Sequence, residues 1–231
     1  MTVGHKQLQI AIDGPAAAGK STAAKNLAAR LGGYYVNTGD MYRTLAWAAL
    51  RAGVDPRVDE DGVAALLPQW DMRYQAAAGG GLQLYFNGAA VRQEDIRAPE
   101  IAAVVSYIAQ IPAVRAWMLS RQRECRALGV IVMEGRDIGT VIFPDAKYKF
   151  FITASPEERA RRRFLQKGEV ADGATLATVA AEIAERDRID STRATAPLKP
   201  AAGALVLKTD GMDQEAVVEA LLAHMAEEDR P

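Results

Sequence analysis

The stretch GPAAAGKST, residues 14 to 22, lies between the apolar run LQIAID (8 to 13) and the helix-forming run STAAKNLAARL (21 to 31), and it restricts the fold more than any other segment. Gly14, Gly19, Lys20 and Ser21 satisfy G-x-x-x-x-G-K-[ST], a pattern that gains its meaning from a strand before it and a helix after it. Glycines let successive backbone N–H groups curl around phosphate oxygens with no Cβ in the way, and the helix start adds its partial positive charge. Lys20 supplies a mobile cation for the β- and γ-phosphates, Ser21 offers a hydroxyl to Mg²⁺, and Ala16, Ala17 and Ala18 keep the loop narrow. Gly14, Pro15, Ala16, Ala17, Ala18, Gly19, Lys20, Ser21 and Thr22 are therefore the expected ATP-binding loop.

The rest of the chain continues this alternation. Ala24, Leu27, Ala28 and Leu31 form one helical stripe that Gly32 and Gly33 end, and YYVNTGD (34 to 40) returns as a strand and turn. GVIVMEG (129 to 135), KYKFFIT (147 to 153) and ALVLKT (204 to 209) read as further strands, so the class is α/β with a parallel sheet flanked by helices. DMRYQ (71 to 75), LQLYFNG (82 to 88) and AAVRQ (89 to 93) read instead as short antiparallel strands, a small inserted subdomain. Helices are expected from about Ala98 to Gln110, then past the breaker Pro112 to near Gly129, over SPEERARRRFLQKGEV (155 to 170) with Ser155 and Glu158 as a capping box, and over 174 to 193. MDQEAVVEALLAHMAEEDR reads as a closing amphipathic helix with a frayed acidic tail.

With 231 residues the chain can bury a full core, and one domain over 1–231 is the expected organisation. No run approaches the roughly 20 apolar residues of a membrane helix, and MTVGHKQLQIAID lacks the apolar core of a secretory signal. A single cysteine, Cys125, forms no internal disulfide, which suits a reducing cytoplasm. A net charge of −1 gives no reason to expect nucleic acid or an anionic membrane as partner, and a monomer is expected. His5 and His224 lie in no motif and read as structural or solvated.

A second acid should help hold the metal's water shell. Asp13 ends the first strand beside the loop, and Glu134 ends the apolar run VIVM. A switch GTPase would need N-K-x-D, which is absent, and the one D-x-x-G match, Asp59 to Gly62, lies in a polar loop. A small-molecule kinase is the simplest class left.

The 20 arginines outnumber 8 lysines, and their positions carry the argument. NTGDMYR places Tyr42 and Arg43 just after the second strand, and EGRDIGT places Arg136 and Asp137 at the carboxyl end of another, the edge where open α/β sheets bind ligands. Arg186, Asp190 and Arg193, spaced i, i+4, i+7, continue the inward stripe of Leu176, Val179 and Ile183. Arg159, Arg161, Arg162 and Arg163 crowd one helical turn, and one or two should reach nucleotide phosphates. Phosphoryl transfer between two anions needs such positioned cations. An acceptor that is itself a phosphate needs no general base, whereas a sugar hydroxyl would want a carboxylate or histidine.

IAIDGPAAAGKST, VNTGDMYR, VSYIAQIPAVR, EGRDIGTVIFPDA, SPEERARRR and ERDRIDSTRATAPL together resemble the bacterial cytidylate kinases, a branch of the nucleoside monophosphate kinases, across residues 10 to 198. The resemblance implies a P-loop three-layer fold with a five-stranded parallel sheet, an enlarged monophosphate-binding insertion (66–98) and a helical lid with its following helix (155–193). It implies transfer from ATP, with Mg²⁺, to CMP or dCMP. Thr38, Tyr42, Arg43, Arg136 and Arg193 would surround the CMP phosphate, Arg186 and Asp190 would reach phosphate and ribose, and Ser106, Arg115 and Asp137 would read cytosine. Lys20, Arg136, Arg193 and the lid's Arg159 would act on the transferring group, with Ser21 on the metal directly and Asp13 and Glu134 through water. Departures are GKST for a common GKGT, Thr38 for a serine, Glu134 for an aspartate, and a less typical lid stretch KGEVADGATLA. UMP or AMP as acceptor, a hydroxyl acceptor of sugar or shikimate type, and a nucleotide-binding regulator without turnover are the competing readings.

Overall fold

The computed structural model describes residues 7–166 and 170–230. His5 lies outside the described residues, as do Lys167, Gly168 and Glu169 of the lid stretch. The main sheet has five parallel strands in the order β2-β6-β1-β7-β8: β1 (Leu8–Asp13), β2 (Tyr34–Asn37), β6 (Val130–Gly135), β7 (Tyr148–Thr153) and β8 (Leu205–Lys208). Ile10, Ala11 and Ile12 at its centre are wholly buried, as a strand covered on both faces requires. One face packs α1 (Lys20–Arg30) and α9 (Gln214–Ala223) against Ile10, Ile12, Val132 and Phe150. The other buries Ala11, Val36, Ile131 and Met133 against Ile138, Ile142 and Phe143.

The inserted sheet is β3 (Met72–Ala76), β4 (Leu82–Phe86) and β5 (Ala89–Ala90), antiparallel and separate from the main sheet. Its Met72, Leu84 and Phe86 share one apolar cluster with α2 (Thr38–Arg51), α3 (Glu60–Leu66), α5 (Pro99–Ile108) and α6 (Pro112–Glu124). β5 is shorter than expected because a helical turn, α4 (Gln93–Ile96), replaces its end. Pro112 opens α6 rather than merely breaking a helix, since the first helical turn needs no N–H there.

Three further expectations are corrected by local chemistry. Thr38, Gly39 and Asp40 form the first turn of α2 and not a loop, because the Asn37 side chain caps the Asp40 N–H at 3.2 Å. The D-x-x-G of Asp59 to Gly62 is likewise a helix cap, with Asp59 accepting from the Gly62 N–H at 2.8 Å. The acidic tail is tied down: the buried Asp229 accepts from the Tyr148 hydroxyl at 2.7 Å and from Lys147 Nζ at 2.5 Å. His224 is exposed, with its ring edge-on to Phe150.

The segment expected as a lid forms α7 (Pro156–Phe164) and α8 (Leu176–Thr192). Ser155 caps α7 as expected, but Glu158 turns its carboxylate to Arg161 and Arg162 instead of closing a capping box. The core between α7 and α8 is thin, with Ala160, Val179 and Ile183 as its buried members. At about 1.5–3 kcal/mol for each large buried aliphatic, Val179 and Ile183 supply most of what holds α8 here. Leu176, expected on the inward stripe, is the first residue of α8 and is exposed, so the buried stripe begins at Val179.

Candidate active site

The site forms where β1, β2 and β6 end together at the carboxyl edge of the sheet. After Asp13 the chain turns through Gly14 at φ 146, where any Cβ would stand 1.9 Å from the Ile152 carbonyl oxygen of β7. Glycine is required at that crossing. Gly19 at φ 89 then lets α1 begin at Lys20, and Ala17 takes the left-handed region at φ 56, at a cost of about 1–2 kcal/mol.

Lys20 is buried, and its ammonium donates to the Pro15 carbonyl at 2.6 Å. Burial, aided by the neighbouring Arg136, pulls its pKa down to about 7. A polyphosphate beside it would restore the charge. ATP binding at about pH 8 is therefore expected to take up a proton, an uptake that fades below pH 7 where the free amine already carries it. Calorimetry in buffers of differing ionisation enthalpy reads this directly.

One pocket joins the loop to the arginines. Ala16, Ala17, Lys20 and Ser21 line it with Thr38, Tyr42, Arg43, Ser106, Glu134, Arg136, Asp137, Arg186, Asp190 and Arg193. Arg97, Arg163, Asp40, Asn37, Gly39, Gly135, Val105 and Ala109 complete it. Its seven basic side chains face four carboxylates, an excess that suits anionic ligands. The crowding shows in the protonation equilibria. Burial first, then neighbouring cations, lower Arg186 to about 9 and Arg43 and Arg163 each to about 10.

The carboxylates hold these cations in place. Arg136 Nε donates to Asp190 Oδ2 at 2.8 Å, and although burial lowers its pKa, Asp190 together with Glu134 and Asp187 outweighs this and leaves it raised. Arg193, just past the end of α8, donates from Nε to the Ala196 carbonyl at 2.7 Å and lies 3.6 Å from Asp137 Oδ1. Its NH2 and Arg186 Nε are buried without a hydrogen-bond acceptor. Buried donors of this kind are costly unless a ligand satisfies them.

The Arg115–Asp137 pair closes the far end. Both groups are buried, the guanidinium meets Asp137 Oδ2, and it also donates to the Ala109 carbonyl at 3.1 Å. Arg115 stands behind the pocket wall, with Asp137 and Ser106 on its surface. The hydroxyl of Thr38 donates to the Glu134 carbonyl at 2.7 Å, and Tyr35 donates to Glu134 Oε1 at 2.6 Å. Glu134 shares the pocket with Ser21. Asp13 does not join them: both its oxygens accept backbone N–H groups, of Ile138 at 2.7 Å and Gly139 at 2.8 Å. Burial pushes its carboxyl up to about 6 against the pull of those two amides.

A second cleft opens on the other side of the loop, lined by Ala17 to Ala23 with Arg161, Arg162, Arg163, Thr209 and Val217. Arg162 donates to the Thr209 hydroxyl at 2.9 Å, and Thr209 to the Ala18 carbonyl at 3.3 Å. Arg159 stands apart from both pockets. It is spent on the Ala154 and Ala16 carbonyls and on Asp187 at 2.5 Å, so it braces the loop from behind where a phosphate contact was expected. Arg97 and Asp40, which pair with each other in the pocket, were not singled out from the sequence. Asp40 lies within VNTGD, while Arg97 falls between the expected strand at 89 to 93 and the expected helix from about Ala98, where no motif marks it.

A family model for cytidylate kinase matches residues 10–227. The chain belongs to the cytidylate kinase family. Among curated cytidylate kinases it is 46% identical to that of Pelotomaculum thermopropionicum over 94% of this chain and 95% of that one. It is 44% identical to the cytidylate kinase of Desulfitobacterium hafniense, covering 94% and 92%, and 43% identical to that of Symbiobacterium thermophilum, covering 97% and 98%. The pocket and the loop cleft meet at Ala17, Lys20, Ser21, Arg97 and Arg163, which line both.

Proposed function

We infer that this enzyme transfers the γ-phosphoryl group of ATP to CMP, yielding ADP and CDP. The observation that carries it is the continuity of the phosphate loop with a buried arginine pocket in which Arg186 Nε and Arg193 NH2 have no acceptor of their own. ATP would lie with its phosphates on the loop amides and Lys20, its base toward the cleft near Thr209 and Val217. The CMP phosphate would sit among Arg43, Arg136 and Arg193, with Thr38 and Tyr42 beside it, Arg186 and Asp190 toward the ribose, and cytosine against Ser106 and Asp137.

An oxygen of the CMP phosphate then forms a bond to the γ-phosphorus while the bond to the β–γ bridging oxygen breaks, and ADP leaves. That oxygen is ionised at neutral pH, since phosphate monoesters have a second pKa of about 6, so no base is needed. The pocket lining includes no histidine, and its Asp190 and Asp137 are engaged by arginines. Lys20, Arg136 and Arg193 instead neutralise charge on the transferring group.

The donor set fits Mg²⁺: Ser21 offers a hydroxyl, Glu134 a carboxylate, and both face the pocket, oxygen ligands suited to a hard cation carried in with ATP. Held there by Ser21 directly and by Glu134 through water, Mg²⁺ would supply positive charge to offset that of the phosphates. We read Asp13, whose two oxygens each accept a backbone N–H and which does not line the pocket, as standing outside that shell.

For the base, Asp137 accepts from the cytosine N4 amino group while Arg115 fixes its carboxylate, and uracil presents a carbonyl there instead. dCMP is expected as a second acceptor. No single helix among the described residues is long and apolar enough to cross a membrane. A monomer in the cytoplasm is our proposal from the sequence, with its single cysteine and near-zero net charge. The test is ADP release measured with CMP, dCMP, UMP and AMP. CMP and dCMP are expected to lead. A lead by UMP or AMP would reassign the base-reading residues, and ATP binding without acceptor-dependent release would leave only a nucleotide-binding regulator.

A further inference from the structure

Asp13 closes β1 one residue before the phosphate loop and is almost wholly buried. The ladder between β1 and β6 ends where Asp13 pairs with Gly135. Beyond that pair come Arg136 and Asp137, then a single π-helical turn, Ile138–Ile142, an element that tends to mark functional sites. The first two amides of that turn, Ile138 and Gly139, both donate to the Asp13 carboxylate, at 2.7 and 2.8 Å. Such charge-assisted bonds to an ionised acceptor are the strong ones. Gly139 fits closely, since a Cβ there would stand 3.2 Å from the Ala201 Cβ and 3.4 Å from Asp13 Oδ2. The carboxylate therefore ties the strand that carries the donor loop to the turn that follows the acceptor-binding residues.

We propose that Asp13 is a positioning residue for the acceptor half of the site: it touches neither nucleotide and sets where Arg136 and Asp137 stand. This rests on the reading of those two as acceptor-binding groups. It differs from a metal-shell role in what it predicts, because Asp13 acts through backbone amides and not through the loop's phosphate contacts.

The test is Asp13→Asn in the full chain. The amide keeps one accepting oxygen but turns N–H donors toward the other backbone N–H. The KM for CMP is expected to rise about tenfold, the loss of roughly one good hydrogen bond, and the preference for CMP over UMP to fall. The KM for ATP and the half-saturating Mg²⁺ concentration should stay within about twofold of the parent, since neither contact is touched. A raised Mg²⁺ requirement with acceptor preference intact overturns the proposal in favour of a metal shell. A lowered melting temperature with every kinetic constant unchanged also overturns it, leaving a structural joint only. If Asp13→Asn fails to fold, Gly139→Ala crowds the same turn with the carboxylate intact and is expected to give the same CMP-selective loss; unchanged CMP kinetics there overturn it. Asp137→Asn run alongside separates the two levels. If it too leaves CMP preference intact, the acceptor reading itself fails; if it lowers that preference and Asp13→Asn does not, only the positioning role fails.

Discussion

Arg136→Ala is expected to lower kcat by about a thousandfold while the KM for ATP changes little, because a positioned cation on the transferring group is typically worth that much. The guanidinium stands at the end of β6 between the phosphate loop and α8, lining the pocket beside Lys20. Its neighbours are anchored at positions of their own, Arg193 through Nε on the Ala196 carbonyl and Arg43 through NH1 on the Ile96 carbonyl. The same substitution removes the partner of the buried Asp190, and breaking such a pair costs about 3–5 kcal/mol. A melting curve must therefore accompany the kinetics. Arg136→Lys keeps the charge without the planar fork and should recover part of the stability but little of the turnover. A folded Arg136→Ala enzyme with an unchanged kcat would remove this residue from the reaction.

Asp137→Asn is expected to erase most of the discrimination between CMP and UMP, about tenfold to a hundredfold for one lost base-edge contact. A carboxylate can only accept from the base, whereas a carboxamide can also donate to the uracil carbonyl, so the variant should gain UMP as it loses CMP. Asparagine is preferred to alanine here because Asp137 is the partner of Arg115, with both side chains about 6% exposed. Removing the charge leaves a buried guanidinium whose compensation is lost, at a cost of about 3 kcal/mol or more. Chemical denaturation reads that cost, and competition between CMP and UMP in one reaction reads the specificity. Equal losses for both acceptors would contradict a base-reading role.

Much of this site was legible because its residues sit at the ends of elements with strong patterns. LQIAID, VIVM and KYKFFIT are apolar runs of strand length, and whatever follows such runs in an α/β chain lies at the carboxyl edge. That logic reached Lys20, Glu134, Arg136 and Asp137. The spacing of Arg186, Asp190 and Arg193 likewise placed them on one side of α8, and all line the pocket although Arg193 already lies past the helix end. Local caps were harder. Asn37 and Asp59 are polar residues in segments read as turns, and only the closing of their side chains on Asp40 and Gly62 reveals the helices they start.

The sequence by itself determined the phosphate loop, the parallel sheet and the arginines that end up facing one pocket, because each follows from residue type and period along its own element. Tertiary structure alone decided which polar groups meet across elements. Asp13 looked like a metal acid from its place beside the loop, and its oxygens go to amides 125 and 126 residues away. Arg159 looked like a phosphate contact from its helix, and Asp187 of the next helix holds it behind the loop. In both cases a buried charge is satisfied by whichever partner the packing brings within about 3 Å, and no local pattern encodes that distance.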